Sequence, residues 1–294
     1  MNLVVGATGV VGGGVAKALA GRGEPVRAMV RPESPGRTRG PHTPVTELED
    51  SGVEIVSGDL TDRASLSPAL EGIRRVVCTA STAKRDPDLE RTDVGGIRDL
   101  VDAAGEAGVE QFVFVSAAGA SVDHPDPVIR GKGLVEEHLR ASDVRWTILQ
   151  PVLFMEDWVG ALLGLQLEAA GRITILGGLE RRFSYIAAAD VSRVTAATVG
   201  RQEALGRSIP LSVGPASYRE ILDAVEAAMG TRPPVSVELP GTSVPGLPPV
   251  LSEMWGGLAQ GPDMEIATPE VAREFGVELT PLTDWVRAAF AGTE

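Results

Sequence analysis

Leu3-Val4-Val5-Gly6-Ala7-Thr8-Gly9-Val10-Val11-Gly12 is the stretch that decides the fold. Its aliphatic triplet is a short strand, and the pattern over residues 10–21 is an amphipathic helix. The glycines between them are spaced for a nucleotide-binding turn. Gly6 allows the tight bend, Gly9 lets the backbone approach a pyrophosphate, and Gly12 permits close packing of helix on strand. The helix N-terminus then presents unpaired N–H groups and a positive dipole end to the phosphates. Such a turn is specific only after a strand and before a helix, which is its context here. Gly6, Thr8, Gly9, Val10, Val11 and Gly12 are therefore the first candidate cofactor-binding residues.

Short β-branched runs at 26–30, 54–57, 76–79, 112–116 and 146–149 follow, separated by helical patterns at 63–72, 89–108 and 131–142. This alternation predicts an α/β protein of Rossmann type with a doubly wound parallel sheet. Beyond Pro151 the rhythm loosens. Helices near 157–170, 190–199 and 218–229, with strands near 173–176 and 208–212, predict a smaller mixed α/β lobe that takes the substrate. The expected division is 1–152 and 153–294, with the chain crossing between the two. Residues 240–262 are rich in proline and glycine yet carry Leu247, Leu251, Met254, Trp255 and Leu258. They read as an irregular segment that lines a pocket, forms a homodimer contact, or packs on the core.

Composition removes several classes of function. With a formal net charge of −13, attraction to nucleic acid or to an anionic membrane is disfavoured, and neither is an expected partner. Cys78 is the single cysteine and His42, His124 and His138 are the only histidines, so no metal site is expected. No apolar run reaches the roughly 20 residues needed to span a bilayer. The strand at 3–5 leaves no room for a charged leader, and the expected address is the cytoplasm.

The second strand ends on Arg31, where an NAD-binding fold commonly places an acidic residue for the adenosine 2′-OH. A guanidinium there suits a 2′-phosphate, and Arg37 and Arg39 follow, so NADP(H) is expected over NAD(H). The alternative is an exposed arginine with no ligand.

By this point the residues resemble those of the atypical short-chain dehydrogenase/reductases, specifically the NmrA-like NAD(P)H-binding group. Gly58-Asp59-Leu60 looks like the family's segment after the third strand, which would put Asp59 and Leu60 at the adenine. Ala103-Ala104-Gly105-Glu106-Ala107-Gly108-Val109, followed by Phe112-Val113-Phe114-Val115-Ser116, is similar to its helix and serine-ended strand. Lys132 with Glu136, then Trp146-Thr147-Ile148-Leu149-Gln150-Pro151, resembles its lysine helix and following strand. Asp190, Ser212-Val213-Gly214 and Thr268-Pro269 to Trp285 extend the likeness through the chain. There are departures. Gln150 and Asp157 stand where Arg and Asn are common, and Val128 occupies the place of the proton-donating tyrosine four residues before the lysine. Tyr185 and Tyr218, the only tyrosines, are far away in sequence.

The chemistry left open rests on few groups. Lys132 is a candidate for holding the nicotinamide ribose and, if desolvated, for proton donation. Ser116, at a strand's C-terminal end, would polarise a substrate oxygen or make room for the cofactor. Thr79, Ala80 and Ser81 would flank the ribose, and Pro151, Val152 and Phe154 the nicotinamide. His124, on the loop before the lysine helix, is the candidate replacement for the tyrosine or else a solvated loop residue. The expected function is an NADPH-dependent oxidoreductase reducing a small apolar carbonyl, quinone or enone, because a stabilised product anion needs no tyrosine. The rival is a non-catalytic NAD(P)-binding redox sensor, and non-redox isomerisation is a third reading.

Overall fold

Asn2–Val5 (β1) is buried along its whole length, the pattern of a strand covered on both faces. The computed structural model describes residues 1–32, 42–81 and 89–291. In it β1 pairs in parallel with Val26–Val30 (β2) on one side and Arg75–Cys78 (β4) on the other. Glu54–Ser57 (β3) lies outside β2, and Gln111–Val115 (β5), Trp146–Pro151 (β6) and Arg207–Leu211 (β10) extend the opposite side. The resulting seven-stranded order is β10-β6-β5-β4-β1-β2-β3. The chain thus winds outward from β1 to β3, returns beside β1, and winds outward again. That reversal opens a crevice beyond the C-terminal ends of β1 and β4, where ligands of such sheets bind.

Helices follow the strands: Val10–Ala20 (α1), Val45–Asp50 (α2), Leu66–Leu70 (α3), Ile97–Glu106 (α4) and Pro127–Ala141 (α5). The stretch expected as one helix over 89–108 is in fact a π-helical turn, Glu90–Gly96, running into α4. Residues 156–161 likewise form a π-helical turn before Leu162–Ala170 (α6). Arg37 and Arg39 lie outside the described residues.

Two compact units emerge. The first comprises 1–151, 189–210 and 273–277, so it recovers two later segments of chain. One of them contains Ala188–Thr198 (α7) and β10. Buried polar groups fasten it to the sheet: Gln111 donates to Thr147 Oγ1 at 3.0 Å and to Thr198 O at 3.2 Å, and Thr147 donates to Ala204 O at 2.9 Å. The core between sheet and helices is aliphatic, with Phe112 and Phe114 as its largest members.

The second unit, 152–188, 211–272 and 278–294, has its own core. Leu153–Phe154 (β7), Arg182–Ile186 (β9) and Gly214–Ser217 (β11) form a three-stranded sheet, and Ile173–Leu176 (β8) pairs with Val235–Glu238 (β12). Tyr218–Met229 (α8) starts with a capping box made by Ser217 and Glu220. The expected irregular segment at 240–262 contains a helix, Pro249–Gln260 (α9). Its prolines were legible as breakers, but Pro248 and Pro249 sit at the N-cap and first turn, where proline is favoured. Trp255 is fully buried there and donates its indole N–H to Tyr218 Oη at 2.6 Å, so the segment packs on the core. Leu282–Phe290 (α11) packs against α8.

Candidate functional site

Everything at the crevice starts from the glycine turn. Gly6 has φ +86°, a conformation that L side chains rarely adopt. A Cβ on Gly12 would lie 2.3 Å from Gly6 O and 2.5 Å from Thr79 Oγ1. The turn is thereby pressed against the end of β4, where Thr79 donates its N–H to Val5 O at 2.9 Å and its hydroxyl to the same carbonyl at 3.2 Å. Gly9 caps α1 without any side-chain hydrogen bond, and no acidic residue stands in the first turn. That uncapped helix end is chemically suited to a pyrophosphate. Val10 is exposed beside it, and Val11 O accepts from the Ser192 hydroxyl at 3.1 Å.

Thr43 was not singled out from sequence, yet it is buried and donates its N–H to Thr8 O at 2.9 Å. The chain that leaves β2 at Arg31 therefore returns onto the glycine turn. Arg31 itself is exposed, and no carboxylate pairs with it among the described residues. Asp59 Oδ1 accepts from the N–H and hydroxyl of Thr61, at 2.8 and 2.9 Å, which fixes its carboxylate beside β3. Leu60 has its side chain in the core, and its carbonyl lies against Gly96, where a Cβ would come within 2.5 Å of it.

On the other side of β4 stands Lys132, on α5. It is 7% exposed, and its Nζ donates to Ala80 O and Val115 O, both at 3.3 Å. The ammonium also lies 5.0 Å from the Phe114 ring centroid, within cation–π range. Burial, the largest influence, pulls its pKa below the ordinary lysine value, and the ionisable neighbours Cys78, Asp93 and Glu136 work the other way. Next to Val115, the Ser116 hydroxyl is buried and has no hydrogen-bond partner among the described residues. Pro151 ends β6 in the same unit, its carbonyl accepting from Ala118 N at 2.9 Å. Val152 and Phe154 belong to the second unit.

His124 has a job in the loop. Its Nδ1 accepts the Asp126 N–H at 3.1 Å, and Asp126 in turn caps α5 through Val128 N and Ile129 N. With Nδ1 accepting, the ring is the neutral imidazole, and its one N–H, at Nε2, can donate a hydrogen bond. Val128 is half-buried one helical turn before Lys132. Tyr185 and Tyr218 are core residues of the second unit, 1% and 2% exposed. Burial raises both phenols well above their ordinary pKa. Asp93 also escaped the sequence reading: it is 4% exposed in the π-helical turn and accepts from Ser81 Oγ at 3.3 Å. Its signal was an acidic residue four positions before Ile97, on the apolar stripe of that helix.

The sequence profile of the NAD(P)H-binding family matches residues 6–202. The chain belongs to this NAD(P)H-binding family. An NAD(P)H azoreductase from Xenophilus azovorans is 29% identical over 232 residues, covering 78% of this chain and 74% of that one. The photosystem II assembly factor Ycf39 of Cyanophora paradoxa is 28% identical over 242 residues, covering 80% and 72%. In architecture the chain is similar to an NADPH-dependent quinone oxidoreductase from Escherichia coli, solved with NADPH. That likeness has a TM-score of 0.79 at 20% identity, over 99% of this chain and 100% of the other. As a member of the NAD(P)H-binding family, the chain carries the glycine turn, the uncapped α1 and Lys132 within its first unit. Among the described residues no helix is long and apolar enough to cross a membrane, and no group of His, Cys, Asp and Glu is arranged for a metal.

Proposed function

We propose that this chain is an NADPH-dependent reductase of small conjugated acceptors, quinones or enones, with Lys132 and Ser116 at the reacting end. The observation that carries the reading is the pairing of a buried lysine with an orphaned serine hydroxyl beside the nucleotide turn. An ammonium has three N–H donors. Two are spent on Ala80 O and Val115 O, so one remains for the nicotinamide ribose or the substrate. Ser116 then donates to the acceptor's oxygen, and low local polarity strengthens that bond as negative charge develops.

The nicotinamide, when bound, supplies the hydride. The uncapped α1 receives the dinucleotide's pyrophosphate, Asp59 the adenosine side, and the exposed Arg31 the 2′-phosphate. Thr79, Ala80 and Ser81 hold the ribose side. Val128 explains the choice of acceptor. Without a phenol one turn before Lys132, a simple ketone would yield a strongly basic alkoxide facing only the lysine and the serine hydroxyl, whereas a quinone yields a delocalised anion that needs less help. The azoreductase and quinone oxidoreductase relatives fit the same kind of electron-accepting, conjugated substrate.

The test is a fluorescence titration with NADPH and NADH, followed by a panel of quinones, enones, azo compounds and simple ketones. Tighter NADPH binding and oxidation confined to conjugated acceptors supports the reading. Tight binding without oxidation by any acceptor overturns it in favour of a redox sensor.

A further inference from the structure

Gly12 makes room for Thr79, but Gly13 and Gly14 follow it directly in α1, and glycine is a poor helix former. Each of the three leaves space for a different neighbour. A Cβ on Gly14 would lie 2.5 Å from Ser192 Oγ, the hydroxyl that donates to Val11 O. A Cβ on Gly13 would run into Thr43 Oγ1 and lie 2.5 Å from Thr43 Cβ. The start of α1 is thus gripped by hydroxyl-bearing residues from three segments of the first unit.

Thr43 is poorly placed to draw back. It is buried, its side chain is β-branched and stiff, and its own N–H is committed to Thr8 O at 2.9 Å. Pro44 follows at once as the N-cap of α2, which packs on α1 and is tied to it by Lys17 and Glu47 at 2.5 Å.

The bond to Thr8 bears on the nucleotide. A helix continued one residue backward would have the Gly12 N–H donate to Thr8 O. That carbonyl accepts from Thr43 instead, while Gly9 N–H donates to Gly6 O at 2.9 Å and Gly13 N–H to Gly9 O at 2.8 Å. The N–H groups of Val10, Val11 and Gly12 are left with no acceptor among the described residues. Adjacent free donors at a helix start suit a phosphate oxygen.

We propose that Thr43 is a positioning residue of the dinucleotide seat: seated over Gly13, it holds the Thr8 carbonyl outward and keeps those N–H groups open to the pyrophosphate. The proposal rests on the reading of the glycine turn as that seat, and it deepens the reading by naming what keeps the seat open.

Calorimetric titration of the full chain with NADPH, NADH and adenosine 2′-phosphate, a probe without a pyrophosphate, tests this. Thr43→Gly should weaken NADPH and NADH alike by about tenfold and leave adenosine 2′-phosphate where it was. Thr43→Ser, which keeps the oxygen over Gly13, should stay within about threefold of the unaltered protein. A residue that merely supported the fold would not discriminate between the probes in this way. Gly13→Ala should weaken both dinucleotides by about 30-fold, because the methyl pushes Thr43 away. Adding Thr43→Gly gives that methyl room, and affinity should return to the tenfold level. Losses that instead multiply to about 300-fold overturn the proposal. So does dinucleotide binding unchanged in folded Thr43→Gly, weakening confined to NADPH, or equal weakening of all three probes. Should the variants not fold, the unaltered protein decides. Nucleotide and clamp must favour each other, so NADPH has to slow hydrogen exchange at the Thr43 amide, and unchanged exchange overturns the proposal. An unaltered protein that binds neither dinucleotide removes the seat and the proposal with it. Normal binding by protein and variants alike defeats the role of Thr43 alone. NADPH held as expected but oxidised by no acceptor defeats the reductase reading alone.

Discussion

The glycine turn and the lysine pocket flank the same strand, β4, and they are specified by different physics. In the turn the constraint is space. Gly6 O, Gly12 and Thr79 Oγ1 approach so closely that no side chain fits at position 12. In the pocket the constraint is charge. Lys132, almost wholly buried, sits among two carbonyls and an aromatic ring, and burial is the largest influence on its charge. Space is a demand on one residue at a time, whereas charge is negotiated among residues from four segments of chain.

The sharpest way to break this contrast is to remove the charge and keep the volume. Lys132→Met should lower kcat/KM for a quinone by about 10³-fold, roughly 4 kcal/mol of transition-state stabilisation. Yet the folded protein should become more stable near neutral pH, since an apolar side chain replaces a buried cation. The pH dependence has a definite sign. The folded pKa of Lys132 lies below its unfolded value, so the penalty of burying it is fully present below the folded midpoint. That penalty fades as pH rises toward about 10.4, and the stability gained by Met fades with it. Thermal unfolding at several pH values checks this, and a variant less stable at every pH would refute it. Turnover of the unaltered protein should fall on the alkaline side at a pH below the ordinary lysine range.

Gly12→Ala is the corresponding attack on space. The new methyl meets backbone, which cannot step aside, and about 3 kcal/mol of stability should be lost together with nucleotide binding. Unfolding with and without NADPH measures both; an alanine variant that the cofactor still stabilises normally would sink the steric account. Arg31→Ala should weaken NADPH by roughly 30-fold, about 2 kcal/mol, and leave NADH unaffected. Equal weakening of both nucleotides would remove Arg31 from the 2′-phosphate.

Val128→Tyr sharpens the comparison from the other direction. A phenol one turn before Lys132 should raise kcat/KM for simple ketones about tenfold without helping quinones. His124→Ala should be the mildest change, under about threefold in turnover, with a small loss in stability from the loop that caps α5. A larger fall in turnover at unchanged stability would make its Nε2 a proton donor after all.

These differences explain what the sequence disclosed. Steric demand leaves its trace in residue identity: Gly6, Gly9 and Gly12 after an aliphatic strand announced both the turn and the winding of the sheet. Arg31 and Lys132 were also visible as candidates, one at a strand end and the other through the resemblance to the family's lysine helix. Asp93 was not, because its meaning depends on a π-helical turn and on Ser81, neither of which has a local pattern. Thr43 escaped for a similar reason, since its contact with Thr8 spans 35 positions of chain. In the second unit, strands of two to five residues carry little alternation to read. There, the prolines and glycines of 240–262 read as an irregular segment, although a helix begins at Pro249.

The return of residues 189–210 to the first unit bears on how the protein is made. Strand β6 has been synthesised by residue 151, but its outer neighbour β10 is not translated until residue 211. During that interval an apolar sheet edge waits on the ribosome, with the Gln111 and Thr147 side chains still lacking Thr198 O and Ala204 O. An unpaired edge is a template for pairing with the wrong chain, and late long-range closure slows folding. A gene cut at residue 152 would make that interval permanent, so a first unit expressed alone must carry β10 grafted on behind β6 to stay out of aggregates.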